Sequence, residues 1–187
     1  MWRKTRKPNQ GSTCIGTDPN RNWDFHWGEG GASANPCSET YRGPSAFSEV
    51  EVSTVGRFMV DPANRVRGYI DFHAYAQLWM SPWGYTTAYP SDYTAQNDLS
   101  RRCVDALSAV YGTDYVYGPI ANTLYVASGS SVDYSYGVGR IVYSYTPELR
   151  DTGSYGFLLP PAQIRPSGVE TFAAWKVFAQ EVLEKSK

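Results

Sequence analysis

Three groups of residues in this chain carry side chains suited to hydrolysis or to gripping a carboxylate. His73 closes the run Arg67-Gly68-Tyr69-Ile70-Asp71-Phe72-His73-Ala74-Tyr75, which reads as a strand. Strand ends at the carboxyl edge of an α/β sheet project side chains into a cleft. A neutral imidazole there can ligate zinc; the competing role is a hydrogen-bonded core histidine. Glu148 ends a second strand-like run, 140–149, and continues into Leu149-Arg150-Asp151-Thr152-Gly153. A carboxylate at such an edge can be a general base acting on a metal-activated water, or the partner of Arg150 in an ion pair. Asn20-Arg21-Asn22 follows Asp18-Pro19. The planar guanidinium fork matches a carboxylate with two hydrogen bonds and Asn adds a donor, equipment for the free C-terminus of a peptide. The same side chains could equally hold a loop.

Other hydrolytic chemistries find little support. The chain has two histidines, His26 and His73, so any Ser-His or Cys-His pair must use one of them. No Gly-x-Ser-x-Gly elbow occurs, and no glycine-rich stretch ends in the Lys-Ser/Thr of a phosphate loop.

The elements that must position these groups follow from pattern. Residues 1–47, rich in Gly, Ser, Asn and Pro, read as loop. Ser48 and Glu51 resemble a capping box, and Val52, Val55, Phe58 and Met59 give a helix one apolar face, ended by Asp61-Pro62. Residues 77–83 continue the strand signal to a turn at Pro82-Trp83-Gly84-Tyr85. A second helix spans 92–111, with Gly112 as its C′ residue. Short β-rich pieces follow at 115–126. No element is assigned to 128–136, where Ser128-Gly129-Ser130-Ser131 leads into Val132-Asp133-Tyr134-Ser135-Tyr136. The last helix is expected over 168–185. Alternating helices and strands predict an α/β fold, a mixed twisted sheet covered by helices on both faces, with neither an internal repeat nor a second domain.

Composition agrees. Hydrophobic residues make up 42% and charged residues 19%, enough for a packed core. The net charge of −1 offers no field for nucleic acid or an anionic membrane, and no apolar run has the length of a membrane span. The basic N-terminus, 1–8, lacks the apolar stretch of a signal peptide. Fifteen tyrosines suit a cleft or aromatic packing, and also leave open an aromatic-rich carbohydrate-binding module. Of three cysteines, Cys14 and Cys37 lie in the loop-rich segment where a crosslink helps most and are paired here; Cys103 falls in a helical pattern and reads as a buried thiol. A stapled loop implies an oxidising compartment, three free thiols a cytosolic one.

Seven motifs occur in order: Trp2-Arg3-Lys4-Thr5-Arg6, Asn20-Arg21-Asn22-Trp23, Pro36-Cys37-Ser38-Glu39-Thr40-Tyr41, His73-Ala74-Tyr75, Ala127-Ser128-Gly129, Glu148-Leu149-Arg150-Asp151-Thr152-Gly153 and Tyr155-Gly156-Phe157-Leu158-Leu159-Pro160. Together they resemble the zinc carboxypeptidases of the pancreatic A/B type along the whole chain. The resemblance implies a secreted, monomeric zinc peptidase acting on peptide or protein C-termini. It implies that Glu148 is the general base for the zinc-bound water and that Arg3 stabilises the oxyanion. Asn20 and Arg21 would bind the terminal carboxylate, Tyr125 would close over the substrate and Tyr75 would line the neighbouring subsite. His73 would be a zinc ligand, and Cys14–Cys37 the family disulfide. Val132 matches the floor of the side-chain pocket, with Ile120, Ala127 and Thr146 as walls. An apolar floor implies aliphatic or aromatic C-terminal residues; Asp133, one residue on, would instead make the pocket basic-selective.

The sequence departs from that family in one respect. The two other zinc ligands, a His-x-x-Glu pair, belong before the position of Arg3, so the single Zn2+ would take two of its three protein ligands from outside this chain. Residues 1–187 are therefore expected to be the C-terminal part of one peptidase domain with N-terminal strands missing, and a catalytically inactive truncated product is the alternative. His26-Trp27-Gly28-Glu29 has the His-x-x-Glu spacing but sits in the disulfide-closed loop, where the expected role is packing of Trp27 and turning at the glycines.

Overall fold

The computed structural model describes residues 1–185. The first 47 residues form no long element. Polar side chains hold them instead: Asp18 Oδ1 accepts from Asn20 N (3.0 Å) and caps a single 3-10 turn, Pro19–Arg21. The Cys14–Cys37 disulfide is formed and Cys103 is a buried free thiol, as expected.

Helix α1 (Val50–Val60) has no side-chain cap. Ser48 does not serve it as a capping box; its hydroxyl accepts from Asn22 Nδ2 (2.9 Å) and donates to Glu49 Oε1 (3.0 Å). The run 67–75 is not one strand but two, β1 (Gly68–Ile70) and β2 (His73–Ala74), and β3 (Leu78–Ser81) follows. Helix α2 (Tyr93–Tyr111) ends on Gly112, whose φ of 72° is the left-handed conformation that closes a helix without Cβ strain. The 115–126 region is half strand, half helix: β4 (Val116–Pro119) runs into α3 (Ile120–Thr123).

Where no element was assigned, the chain forms α4 (Ser131–Gly137), started by Ser130 Oγ accepting from Asp133 N (3.2 Å). Strand β5 (Tyr143–Leu149) is followed by α5 (Ile164–Lys185), which begins one turn earlier than the expected 168.

The sheet order is β1-β5-β3-β4, with β2 also pairing β5; β5 is parallel to β1 and β2 and antiparallel to β3. It is mixed and open, with helices on both faces, as expected. The two-residue alternation of β5 divides its labour. Tyr143 and Tyr145 enter a core with Trp79, Leu99, Cys103, Leu107, Ala174 and Phe178, under α2 and α5. The intervening positions, Thr146 and Glu148, belong to the opposite face, where Met80 packs with Ile120 and Val132. A further cluster, Trp23, Val52, Met59, Tyr134 and Ile141, seats α1 and α4 there.

Candidate active site

Register brings the two strand-end groups together. Glu148 on β5 pairs with His73 on β2 and with Leu78 on β3. In-register residues on neighbouring strands share a face, so the imidazole and the carboxylate stand side by side. One cavity is lined by both, and also by Arg3, Asn20, Arg21 and Tyr125. Its apolar wall includes Met80, Ile120, Leu124, Ala127 and Thr146. The residues that could hold a metal, abstract a proton and grip a carboxylate therefore meet in one place.

Glu148 is not paired with Arg150. Arg150 instead binds Glu170 through Nε (2.6 Å) and Nη2 (2.5 Å), and Glu148 Oε2 is buried without a hydrogen-bond partner. Burial pushes the Glu148 carboxyl above its usual range; the positive charges of His73 and Arg3 pull it back and Asp71 adds to the rise. A desolvated carboxylate with a free oxygen and a raised pKa is equipped to take a proton.

Burial disfavours the His73 imidazolium, but the hydrogen bond and charge of Asp71, with the charge of Glu148, outweigh it and move the group above the usual value. Its Nε2 lies 3.1 Å from Asp71 Oδ2 and 3.3 Å from Asn20 Nδ2.

The guanidinium of Arg3 is half-exposed and anchored on the buried Asp18, whose Oδ2 accepts from Nε (3.1 Å) and Nη2 (3.0 Å). Arg21 is buried and donates from Nε to Gly31 O (2.9 Å) and from Nη1 to Asn20 O (2.8 Å). Among the described residues no hydrogen bond uses its Nη2. Tyr125, 54% exposed, stands at the rim.

Two expected site residues lie elsewhere. Tyr75 is off this cavity, with its ring 4.9 Å from that of Phe157 and against Gly156. Val132 is fully buried beneath the wall, against Met80 and Ile120. Asp133 does not face the cavity: Gly84 N and Tyr85 N donate to its carboxylate at 2.9–3.0 Å. The His26–Glu29 pair is a local contact, Nδ1 to Oε1 at 2.8 Å, with the imidazole stacked on Tyr85 (3.6 Å).

Asp71 and Asp18 were missed by the sequence reading. A two-residue offset from His73 along an extended run was the available signal for Asp71; none existed for Asp18 beyond its place before Pro19.

The fit to zinc is partial. Among the described residues no group of three or more His, Cys, Asp or Glu could hold a metal ion, whereas a catalytic zinc takes three protein ligands. His73 is the one imidazole at the cavity. No helix of the described residues is long and apolar enough to cross a membrane.

The mixed sheet presents an imidazole and a free buried carboxylate at its strand ends, and the loops of residues 1–47 bring two arginines to the same cavity. Comparison with known proteins is specific: the family model for zinc carboxypeptidases matches residues 1–174. The chain belongs to the zinc carboxypeptidase family. It is 52% identical to carboxypeptidase B of Astacus astacus over 97% of this chain and 60% of that protein. It is 50% identical to human carboxypeptidase A1 over 98% of this chain and 43% of that protein. The structure of bovine thrombin-activatable fibrinolysis inhibitor, solved with tick carboxypeptidase inhibitor, superposes with a TM-score of 0.95 at 38% identity, covering 99% of this chain and 63% of that one. Carboxypeptidase A from Helicoverpa armigera gives 0.89 at 32% identity, over 97% and 46%. The chain thus spans about 40–60% of the curated relatives it matches.

Proposed function

We propose that this chain, together with the further length its relatives possess, forms a secreted, monomeric zinc carboxypeptidase that removes C-terminal residues from peptides and proteins. The observation that carries the reading is the single cavity shared by His73, Glu148 and Arg21. Zinc, when bound, supplies Lewis acidity toward the scissile carbonyl and toward water. His73 is the ligand this chain contributes. Glu148, desolvated and with one carboxylate oxygen unpartnered, takes the proton from the attacking water and passes it to the leaving amine. Arg3, held rigid by Asp18, offers its guanidinium to the developing oxyanion. Asn20 and Arg21 bind the substrate's terminal carboxylate, and Tyr125 closes the rim.

Met80, Ile120, Ala127 and Thr146 line an apolar pocket with Val132 behind it, and the carboxylate of Asp133 is engaged by two backbone amides. Among the described residues Glu148 is the one carboxylate lining the cavity, and with that group assigned to the chemical step no acid is left to hold a desolvated cation, which favours aliphatic or aromatic C-terminal residues. Tyr75, outside this cavity, is assigned to the neighbouring subsite. The Cys14–Cys37 disulfide supports an oxidising compartment.

The test compares release of C-terminal Phe and Arg from blocked dipeptides by the zinc-loaded protein. Phe should be released faster, and Glu148→Gln should lower kcat by about 10²–10⁴-fold. Equal turnover by the Gln variant refutes the assignment. Because His73 is the one imidazole at the cavity and the described residues offer no full ligand set, the 187 residues alone should neither retain zinc nor release Phe.

A further inference from the structure

Away from the catalytic cavity, two adjacent clefts of about 470 and 540 Å³ share Asp92, Arg140 and Val142 and so form one continuous groove. One end is aromatic. Phe25, Trp83, Tyr89 and Tyr136 line it, with the rings of Phe25 and Trp83 stacked at 5.4 Å and Trp83 4.8 Å from Tyr136. The other end is basic, because Arg67 and Lys185 join Arg140 there. All three side chains are exposed, and among the described residues none makes a hydrogen bond or a direct ion pair. Glu181 feels Lys185 as a nearby charge but is bound by Arg102 at 2.6 Å. Asp92, the one carboxylate lining the groove among the described residues, accepts from the Tyr136 hydroxyl (2.7 Å) and from Ser91 Oγ (3.3 Å). The groove is therefore locally positive on a chain whose net charge is −1.

Arg140, at the junction of the two ends, breaks a local rule. Its φ is 56°, in the left-handed region where glycine is at home and a side chain is disfavoured. Glycine occupies the position before it, Gly139, and the turn is closed by Ile141 N donating to Ser135 O (3.1 Å). The guanidinium returns nothing to the fold that would offset this placement, since no side chain or carbonyl of the described residues engages it. A residue that violates local preference without a compensating contact points to a function outside the fold.

We propose that this groove is a docking site for an acidic peptide segment that carries an aromatic side chain, the ring lying against Trp83 and Tyr89 and the carboxylates meeting Arg67, Arg140 and Lys185. Both halves of the groove select this chemistry. A guanidinium pairs with a carboxylate through two parallel hydrogen bonds, and three unpaired cations match a short run of acids. The aromatic end offers apolar burial and ring stacking, which a chain of sulfates or phosphates has no group to use. The groove shares no lining residue with the cavity of His73 and Glu148, so a protein held by such a segment leaves that cavity open. The inference does not rest on the carboxypeptidase reading.

The experiment is isothermal titration calorimetry of the full chain with the peptide acetyl-Glu-Asp-Phe-Glu-Asp-amide at low salt. Both ends are blocked, so Asn20 and Arg21 find no terminal carboxylate. Saturable one-to-one binding is expected. Replacing the peptide's Phe by Ser should weaken it about tenfold or more, and added salt should weaken it further. Arg140→Gly should bind the Phe peptide about threefold more weakly or worse, yet unfold at a urea concentration equal to or above that of the wild type, because the left-handed conformation is no longer disfavoured. Arg67→Gln and Lys185→Gln, both at exposed positions, should each weaken binding as well. Absence of saturable binding overturns the proposal, as does an Arg140→Gly variant of unchanged affinity. A lowered urea midpoint for Arg140→Gly makes Arg140 a support for the end of α4 and overturns it too. So does a Ser peptide that binds as tightly as the Phe peptide and is displaced by a sulfated polysaccharide, since the groove would then read charge alone. Release of Phe by the zinc-loaded protein is judged separately, and neither result decides the other.

Discussion

Glu170→Ala should be among the most damaging single substitutions in this chain, although Glu170 lies outside the cavity. Glu170 is 0% exposed and the Arg150 side chain 15%. Arg150 reaches Glu170 with two nitrogens, Gln163 Oε1 with Nη1 (2.8 Å) and Thr113 Oγ1 with Nη2 (2.9 Å); Thr113 Oγ1 in turn donates to Glu170 Oε2 (2.6 Å). Truncating the anion leaves a mostly buried guanidinium without a counter-charge. Breaking one side of such a pair costs about 3–5 kcal/mol. With a urea slope near 2 kcal/mol/M, that is a midpoint lowered by about 2 M. The loss should be specific to the unpaired charge, so Arg150→Met combined with Glu170→Leu should recover most of it. Arg101 is the control: its contacts with Asp98 and Asp105 lie on the exposed face of α2, and removing it should give no resolvable change. The assay is equilibrium urea unfolding followed by tryptophan fluorescence. A Glu170→Ala midpoint equal to that of Arg101→Ala refutes the argument, and so does a double variant no better than the single. The consequence for the site is direct, because Arg150 stands two residues beyond Glu148 and ties the end of β5 to α5.

Two further outcomes follow from buried titratable groups. Burial pushes the Asp133 carboxyl up to about 7, against two backbone donors that favour its ionised form. Between the unfolded value and 7 the native state therefore holds the proton longer. Stability from this group is full below the unfolded carboxyl pKa and falls as pH rises to about 7, and Asp133→Asn should flatten that slope in urea midpoints measured across the window. A variant with the wild-type slope rejects the assignment. Burial likewise raises the Cys103 thiol to about 12, so a thiol-specific reagent should find no reactive sulfur in the native chain and one after denaturation without reductant.

What the sequence discloses about this molecule depends on how local the cause is. His73 and Glu148 were legible as strand-end groups because their runs are short and β-rich, and their meeting needed only the parallel register of β2 on β5. Gly112 was legible because a helix stop is decided within a turn. Helix α4 was not, since its Gly/Ser leader reads as loop and its start rests on one hydroxyl, Ser130 Oγ. The capping box failed for the opposite reason. Ser48 has the right type and spacing, but Asn22, 26 residues away, claims its hydroxyl. Glu148 and Arg150 share a short sequence and invite an ion pair, yet Glu170 on α5 takes the arginine and leaves the carboxylate free. In each miss a distant partner outcompeted a near one, and a single sequence holds no record of distance.

The same principle governs how Arg21 is held. Its Nε donates to Gly31 O, and its own carbonyl lies where a Cβ on Gly129 would be, 2.5 Å away. Gly31 is equally confined, its Cβ position being 1.9 Å from Val126 O. Both have positive φ, 68° and 79°, and both obstacles are backbone, which cannot rotate aside. Gly112 also has positive φ, 72°, but nothing lies within 4 Å of its Cβ position. Gly112→Ala therefore measures the conformational penalty alone, about 1 kcal/mol. Gly129→Ala adds displacement of the Arg21 backbone and should cost about 2–4 kcal/mol in total. It should also weaken binding of a peptide C-terminus, raising KM more than it lowers kcat, because the strands carrying His73 and Glu148 are untouched. If Gly129→Ala and Gly112→Ala unfold at the same urea concentration, the close approach of residues 125–131 to the Arg21 loop is not what positions the guanidinium.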